Sequence, residues 1–277
     1  MSIAGRCLVM GIVNRTPDSF YDGGRMDLTE SVAHAHSLRQ QGADLIDIGA
    51  VKAGPGEEVP EEEELERVIP LVTEVAQFAS GRISIETASP LVAEKAFEAG
   101  ASVLNDVSEL LDTRLAKVCA QAGAGLVVMH NGGQMRGRPR HPRYKDVVAD
   151  VIATWQRLLD IATAAGVEEG SIVVDPGLDF GKNTFQSLEL MRRLDELVAW
   201  GRPVLVAPSR KDVVGETLNL PPDQRLEGTL ALVALSVLKG ASIVRVHDVA
   251  STVRTVHMIE AVVGRRIPDN PIRGLWD

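Results

Sequence analysis

"RISIET" (82–87), "PLVAEKAFEAG" (90–100) and "SVLNDV" (102–107) follow one another almost without interruption. The first and third are short and rich in β-branched residues, and their apolar character is continuous rather than strictly alternating, as in a parallel strand covered on both faces. The middle segment is amphipathic at helical spacing and ends on Gly100, a residue suited to the position just past a helix. Strand, helix and strand make a crossover unit. Both strands finish on polar groups, Glu86 in one and Asn105 with Asp106 in the other.

The same unit recurs outward in both directions. "CLVMGIV" (7–13) and "ADLIDIG" (43–49) precede it; "GLVVMH" (125–130), "SIVVDPG" (171–177), "PVLVAPS" (203–209) and "SIVRVHD" (242–248) follow. Between them lie amphipathic stretches such as "SLELMRRLDELVAWG" (187–201) and "GTLALVALSVLKG" (228–240), ending at Gly201 and Gly240. Eight strands alternating with helices predict a single-domain (β/α)8 TIM barrel over residues 1–277. A doubly wound open sheet is the alternative that the same alternation allows. No linker, low-complexity segment or domain boundary interrupts the pattern.

Composition narrows the function classes. Hydrophobic residues are 45% of the chain and aromatics 4%, so the expected core is aliphatic. A net charge of −9 argues against general affinity for nucleic acid or an anionic membrane, though not against a local basic pocket. No apolar run reaches the roughly 18 residues that cross a bilayer. "MSIAGRCLVMGIVNRT" reads as a strand rather than a signal peptide, because Asn14 and Arg15 cut it off, and a cytoplasmic protein is expected. Cys7 and Cys119 sit in apolar surroundings without metal-ligand spacing and read as buried free thiols.

A barrel places its active site at the C-terminal strand ends. Here those ends carry Asn14, Lys52, Glu86, Asn105 with Asp106, His130, Asp175, Ser209 with Arg210 and Lys211, and Arg245 with His247. Glu86, Asn105 and Asp175 offer carboxylates and an amide to the N–H edges of a flat heterocycle, and Lys211 can donate to a ring nitrogen or carbonyl. Arg245 and His247 lie two apart on one strand end and project from the same side, where they can bind a phosphate or diphosphate. Asn14 can ligate Mg²⁺, which takes oxygen ligands together with substrate phosphates. The set points to a flat nitrogen heterocycle carrying an anionic leaving group.

Other features have plainer readings. "DFGKNT" (179–184) fails as a phosphate loop, since Pro176 and Asn183 stand where Gly and Ser or Thr are needed; Lys182 and Asn183 shape the approach to the next helix. "EEEELER" (61–67) reads as the acidic first turn of an exposed helix. His34 and His36 face different directions on a polar helix. His130 is open between a site residue and a packed strand end. "NGGQMRGRPRHPRYK" (131–145) reads as a mobile surface loop. The apolar helix near 227–241 needs covering, which fits a homodimer.

The words "MGIVNRTPDSFYDGG", "LNDVS", "VVMH", "DPGLDFGKN", "SRK", "GTLA" and "VRVHDV" stand here in the order found in dihydropteroate synthases. The chain resembles that family from about residue 8 to 260, "HPRYKDV" (141–147) included. The resemblance implies a transferase of folate biosynthesis that joins 7,8-dihydropterin-6-ylmethyl diphosphate to para-aminobenzoate, releasing diphosphate and forming dihydropteroate. It implies that Asn105, Asp175, Phe180 and Lys211 hold the pterin, with Glu86 where the family usually has Asp. It further implies that Asn14, Lys52, Ser209, Arg245 and His247 handle the diphosphate, its Mg²⁺ and the aminobenzoate, with Asn14, Lys211, Arg245 and His247 closest to catalysis. The last helices commonly form a homodimer interface in such proteins.

The chain also departs from the pattern. The second loop of the family typically reads Glu-Ser-Thr-Arg-Pro-Gly; the aligned residues here are Val51, Lys52, Ala53, Gly54, Pro55 and Gly56. The turn residues survive, while the hydroxyl and the guanidinium are gone, and a Lys lacks the planar fork of an Arg. Arg15 replaces an apolar residue, Asp179 a Gly, and Asp212 follows "SRK" where Ser is usual. These changes resemble the diverged second copies of dihydropteroate synthase in some actinobacteria. They imply the alternative of a paralogue that binds pterin diphosphate with little or no synthase activity, or uses another acceptor.

Overall fold

The computed structural model describes residues 5–15, 27–50, 59–133 and 143–273. Eight parallel strands form one sheet: β1 (Leu8–Asn14), β2 (Leu45–Gly49), β3 (Ile83–Glu86), β4 (Val103–Asp106), β5 (Gly125–Met129), β6 (Ile172–Asp175), β7 (Leu205–Val206) and β8 (Ile243–Val246). Their order is β6-β5-β4-β3-β2-β1-β8-β7, and a parallel bridge from Val174 to Val204 joins the two ends. The sheet therefore closes into a single-domain barrel, and the open-sheet alternative falls. Around it lie α1 (Leu28–Gln40), α2 (Glu61–Ala79), α3 (Pro90–Glu98), α4 (Arg114–Ala122), α5 (Val147–Ala164), α6 (Thr184–Arg192), α7 (Leu194–Ala199), α8 (Asp212–Leu218), α9 (Leu226–Leu238) and α10 (Val249–Val262).

Local chemistry explains the boundaries. Asp27 with Glu30 and Asn183 with Gln186 form capping boxes at the starts of α1 and α6, satisfying amides that the first turn leaves unpaired. Gly100, at φ 117°, directs the Ala101 N–H back to Ala96 O at the end of α3. Two expectations need correction. The stretch 187–201 is not one helix: Arg193, at φ −105° and ψ 24°, separates α6 from α7. Nor is "EEEELER" wholly exposed, because Glu64 turns inward on α2 and is buried.

The strand period of two divides the core. Residues such as Ile46, Ile83, Ile85, Leu104, Val128 and Val174 face the helices in one large aliphatic cluster. The alternate residues Leu8, Met10, Leu45, Val103, Val127, Val173, Leu205 and Ile243 fill the barrel from within. One inward position further along the strands the chemistry changes abruptly, to Asp47, Asn105, Asp175 and Arg245. The apolar plug is the floor on which the polar layer rests.

Candidate active site

Arg245 is the hub of that layer. Its Nε donates to Asp47 Oδ2 at 2.6 Å and its Nη2 to Glu86 Oε2 at 2.5 Å, while Asn105 Nδ2 donates to the same Asp47 oxygen at 3.1 Å. Burial pushes the Glu86 carboxyl up to about 7, against the pull of Arg245 and with the help of Asp47. Burial also works against the Arg245 guanidinium, yet Glu86 and Asp47 hold it above its ordinary value. Asp47 Oδ1 is buried without a hydrogen bond among the described residues. Such an atom in an aliphatic barrel awaits a donor. Asn14 lies beside Glu86: a Cβ built on Gly49 would meet Asn14 Oδ1 at 3.5 Å and Glu86 Cβ at 3.6 Å.

Across the mouth, Asp175 caps β6. Its Oδ1 accepts the Gly177 N–H at 2.7 Å, and burial raises its carboxyl above the usual range despite nearby Lys211. Lys211 Nζ donates to Leu178 O at 2.7 Å and sits 4.8 Å from the centre of the Phe180 ring. Burial pulls its ammonium below the usual lysine value, with Asp175 opposing. Ser209 Oγ is 3.0 Å from His247 Nδ1 and accepts the His247 backbone N–H at 3.2 Å. Burial, then Arg245 and Arg210, drive the imidazole down to about 4, so it is neutral near pH 7. Arg210 points away and grips Asp248 through two hydrogen bonds, at 3.0 and 2.7 Å, joining the β7 and β8 ends.

The fold thus gathers Asn14, Glu86, Asn105, Asp175, Phe180, Ser209, Lys211, Arg245 and His247 at one barrel mouth. Lys52, Val51 and residues 53–56 lie outside the described residues, as do 134–142 of the basic loop. Asp106 turns from the mouth to hold its own loop, accepting from Ser108 and Leu110 N–H. His130 is packed rather than presented: it is buried, its Nε2 lies 2.8 Å from Asp150, and burial lowers its pKa. One functional candidate was missed. Asp47 was hidden inside the apolar word "ADLIDIG", although it shares strand parity with Leu45 and pairs in register with Ile12. Lys182 shapes the loop before α6 as expected: it is buried, donates to the carbonyls of His130, Gly177 and Phe180, and is lowered by burial to about 7.

The family model described as pterin binding enzyme matches residues 10–247. The chain belongs to the pterin binding enzyme family. Within it, the chain is 45% identical over 98% of its length to the inactive dihydropteroate synthase 2 of Mycobacterium leprae, covering 96% of that protein. It is 40% identical over 96% of its length to the dihydropteroate synthase of Bacillus subtilis, of which it covers 92%. The solved structure of Xanthomonas albilineans dihydropteroate synthase with 4-aminobenzoic acid superposes with a TM-score of 0.88 at 39% identity, over 97% of this chain and 96% of that one. This pterin binding enzyme is therefore a dihydropteroate synthase-like transferase of the folate pathway, with both a synthase and a protein named inactive among its relatives.

Proposed function

We propose that this chain binds 7,8-dihydropterin-6-ylmethyl diphosphate in the barrel mouth, with condensation to 4-aminobenzoate strongly reduced. The observation that carries the binding is the buried set Asp47, Asn105 and Asp175 beside the half-buried Lys211, with the unpartnered Asp47 Oδ1 above an apolar floor. An aminopyrimidine edge supplies N–H donors to the oxygens of Asp47, Asn105 and Asp175. Asn105 and Asp175 accept from the ring, Lys211 donates to it, and Phe180 flanks it. Asn14, Ser209, Arg245 and neutral His247 stand on the diphosphate side, with Lys52 assigned there by sequence alone.

Mg²⁺ fits this site as an ion carried in with the diphosphate. Among the described residues no group of three His, Cys, Asp or Glu side chains could hold a metal. Asn14 supplies one amide oxygen, and the diphosphate and water would complete the shell. Bound there, Mg²⁺ would offset the charge of the departing diphosphate.

Two features support the loss of turnover. Glu86 replaces a shorter Asp and reaches Arg245, so it competes with phosphate oxygens for one guanidinium. The second loop lacks the Thr and Arg of the resembled pattern, and one charge-stabilising donor is worth about 10²–10³ in rate. The relative named inactive in Mycobacterium leprae is consistent with this. The test is product formation by the wild type and by Ala53→Thr/Gly54→Arg, with equal pterin occupancy checked by calorimetry. The variant should gain about 100-fold in rate over the wild type; a wild type that already turns over at about 1 s⁻¹ or faster would overturn the reading.

The pairing of chains belongs to the same proposal. α9 and α10, which pack on each other, leave Leu238, Met258 and Val262 exposed at 50%, 62% and 65%, apolar side chains that a second copy would cover. Light scattering should give twice the monomer mass at micromolar concentration. No helix among the described residues is long and apolar enough to cross a membrane, and we place the protein in the cytoplasm with its pterin substrate.

A further inference from the structure

Asp179 departs from the resembled pattern, which has Gly there, and it takes a left-handed backbone at φ 67°. Its side chain joins three elements. Oδ1 accepts from Ser187 Oγ on α6 at 2.9 Å, its own N–H donates to that hydroxyl at 3.0 Å, and Oδ2 accepts the Val213 N–H at 3.0 Å. Val213 is in the first turn of α8, whose N-cap residue is Lys211 and makes no side-chain cap. Asp179 therefore caps α8 from another loop, using the carboxylate that a helix N-terminus favours. Its neighbours Leu178 and Phe180 are the two residues that engage the Lys211 ammonium. From below, Lys182 ties Gly177 and Phe180 carbonyls to His130 O.

We propose that Asp179 is a positioning residue that locks the 178–180 loop against the start of α8 and so fixes Lys211 for the heterocycle. One carboxylate spans the two segments that meet at the ammonium, so its loss frees Lys211 from Leu178 O. The affinity part of this inference rests on the pterin reading above; the positioning part does not.

Asp179→Gly makes the test, because Gly relieves the left-handed strain while removing the cap. Two readouts are taken on the intact chain: the acetylation rate of Lys211, followed by peptide mass spectrometry, and calorimetric affinity for dihydropterin diphosphate with Mg²⁺. We expect about tenfold faster Lys211 acetylation and about tenfold weaker binding, with the melting temperature within about 3 °C of wild type. Asp179→Asn keeps one acceptor and should fall between. Unchanged Lys211 acetylation in Asp179→Gly overturns the proposal, whatever the ligand does. Faster acetylation in a protein whose wild type binds no pterin supports the positioning role and sinks the pterin reading instead.

Discussion

Replacing Glu86 by Gln keeps the side-chain shape and an acceptor for Arg245 while deleting a buried titration. In the wild type, burial holds the Glu86 carboxyl up at about 7, against an ordinary value of 4.5. A folded-state value above the unfolded one means that the contribution to stability is full below the unfolded value and is lost as pH rises through the folded one. A rise of this size amounts to about 3 kcal/mol once both states are ionised. Gln has no such dependence. The stability of Glu86→Gln relative to wild type should therefore increase by about 2–3 kcal/mol between pH 5 and 8.5, or about 3–5 °C in melting temperature. Urea unfolding of both proteins at the two pH values measures the difference directly. An offset equal at both ends would refute the reasoning, since it would mean that the Arg245 pair fully compensates the buried carboxylate.

Gly177 lies at φ 65°, and a Cβ there would stand 2.0 Å from His130 O; Gly177→Ala should cost more than about 3 kcal/mol in denaturant unfolding. Gly123, at φ 61° with nothing near its missing Cβ, should lose only about 1 kcal/mol as Ala. His247 is depressed from 6.5 to about 4, so its contribution is present above pH 6.5 and is lost as pH falls through 4. Against wild type, His247→Gln should flatten acid unfolding by about 3 kcal/mol over that window, read from urea midpoints. Ser209→Ala removes the partner of His247 Nδ1 and should weaken pterin diphosphate binding about tenfold by calorimetry.

The barrel was readable because parallel strands covered on both faces leave continuous β-branched words, and because most strands end on or just before a polar residue. "RISIET" and "SVLNDV" give adjacent strands with Glu86 and Asn105 in register. Parity was harder to read, since a strand buried on both faces shows no alternation. Asp47 accordingly passed as part of an apolar word, though it is the acid nearest Arg245 Nε. Glu64 hid in a run of four glutamates whose other members face outward. Lys182 owes its place to three backbone carbonyls, which no side-chain pattern encodes. Arg193 broke a continuous amphipathic stretch because the break is a backbone turn, with apolar residues continuing at Leu194 and Leu197 on its far side.

If the polar layer above the apolar floor is a working pterin site, the isolated protein binds its ligand without any partner. The most direct measurement is calorimetric titration of the wild-type protein with 7,8-dihydropterin-6-ylmethyl diphosphate and Mg²⁺, with Asp175→Asn as the control. One site per chain with micromolar or tighter affinity is expected, lost in the control. No saturable heat up to millimolar ligand would contradict that expectation.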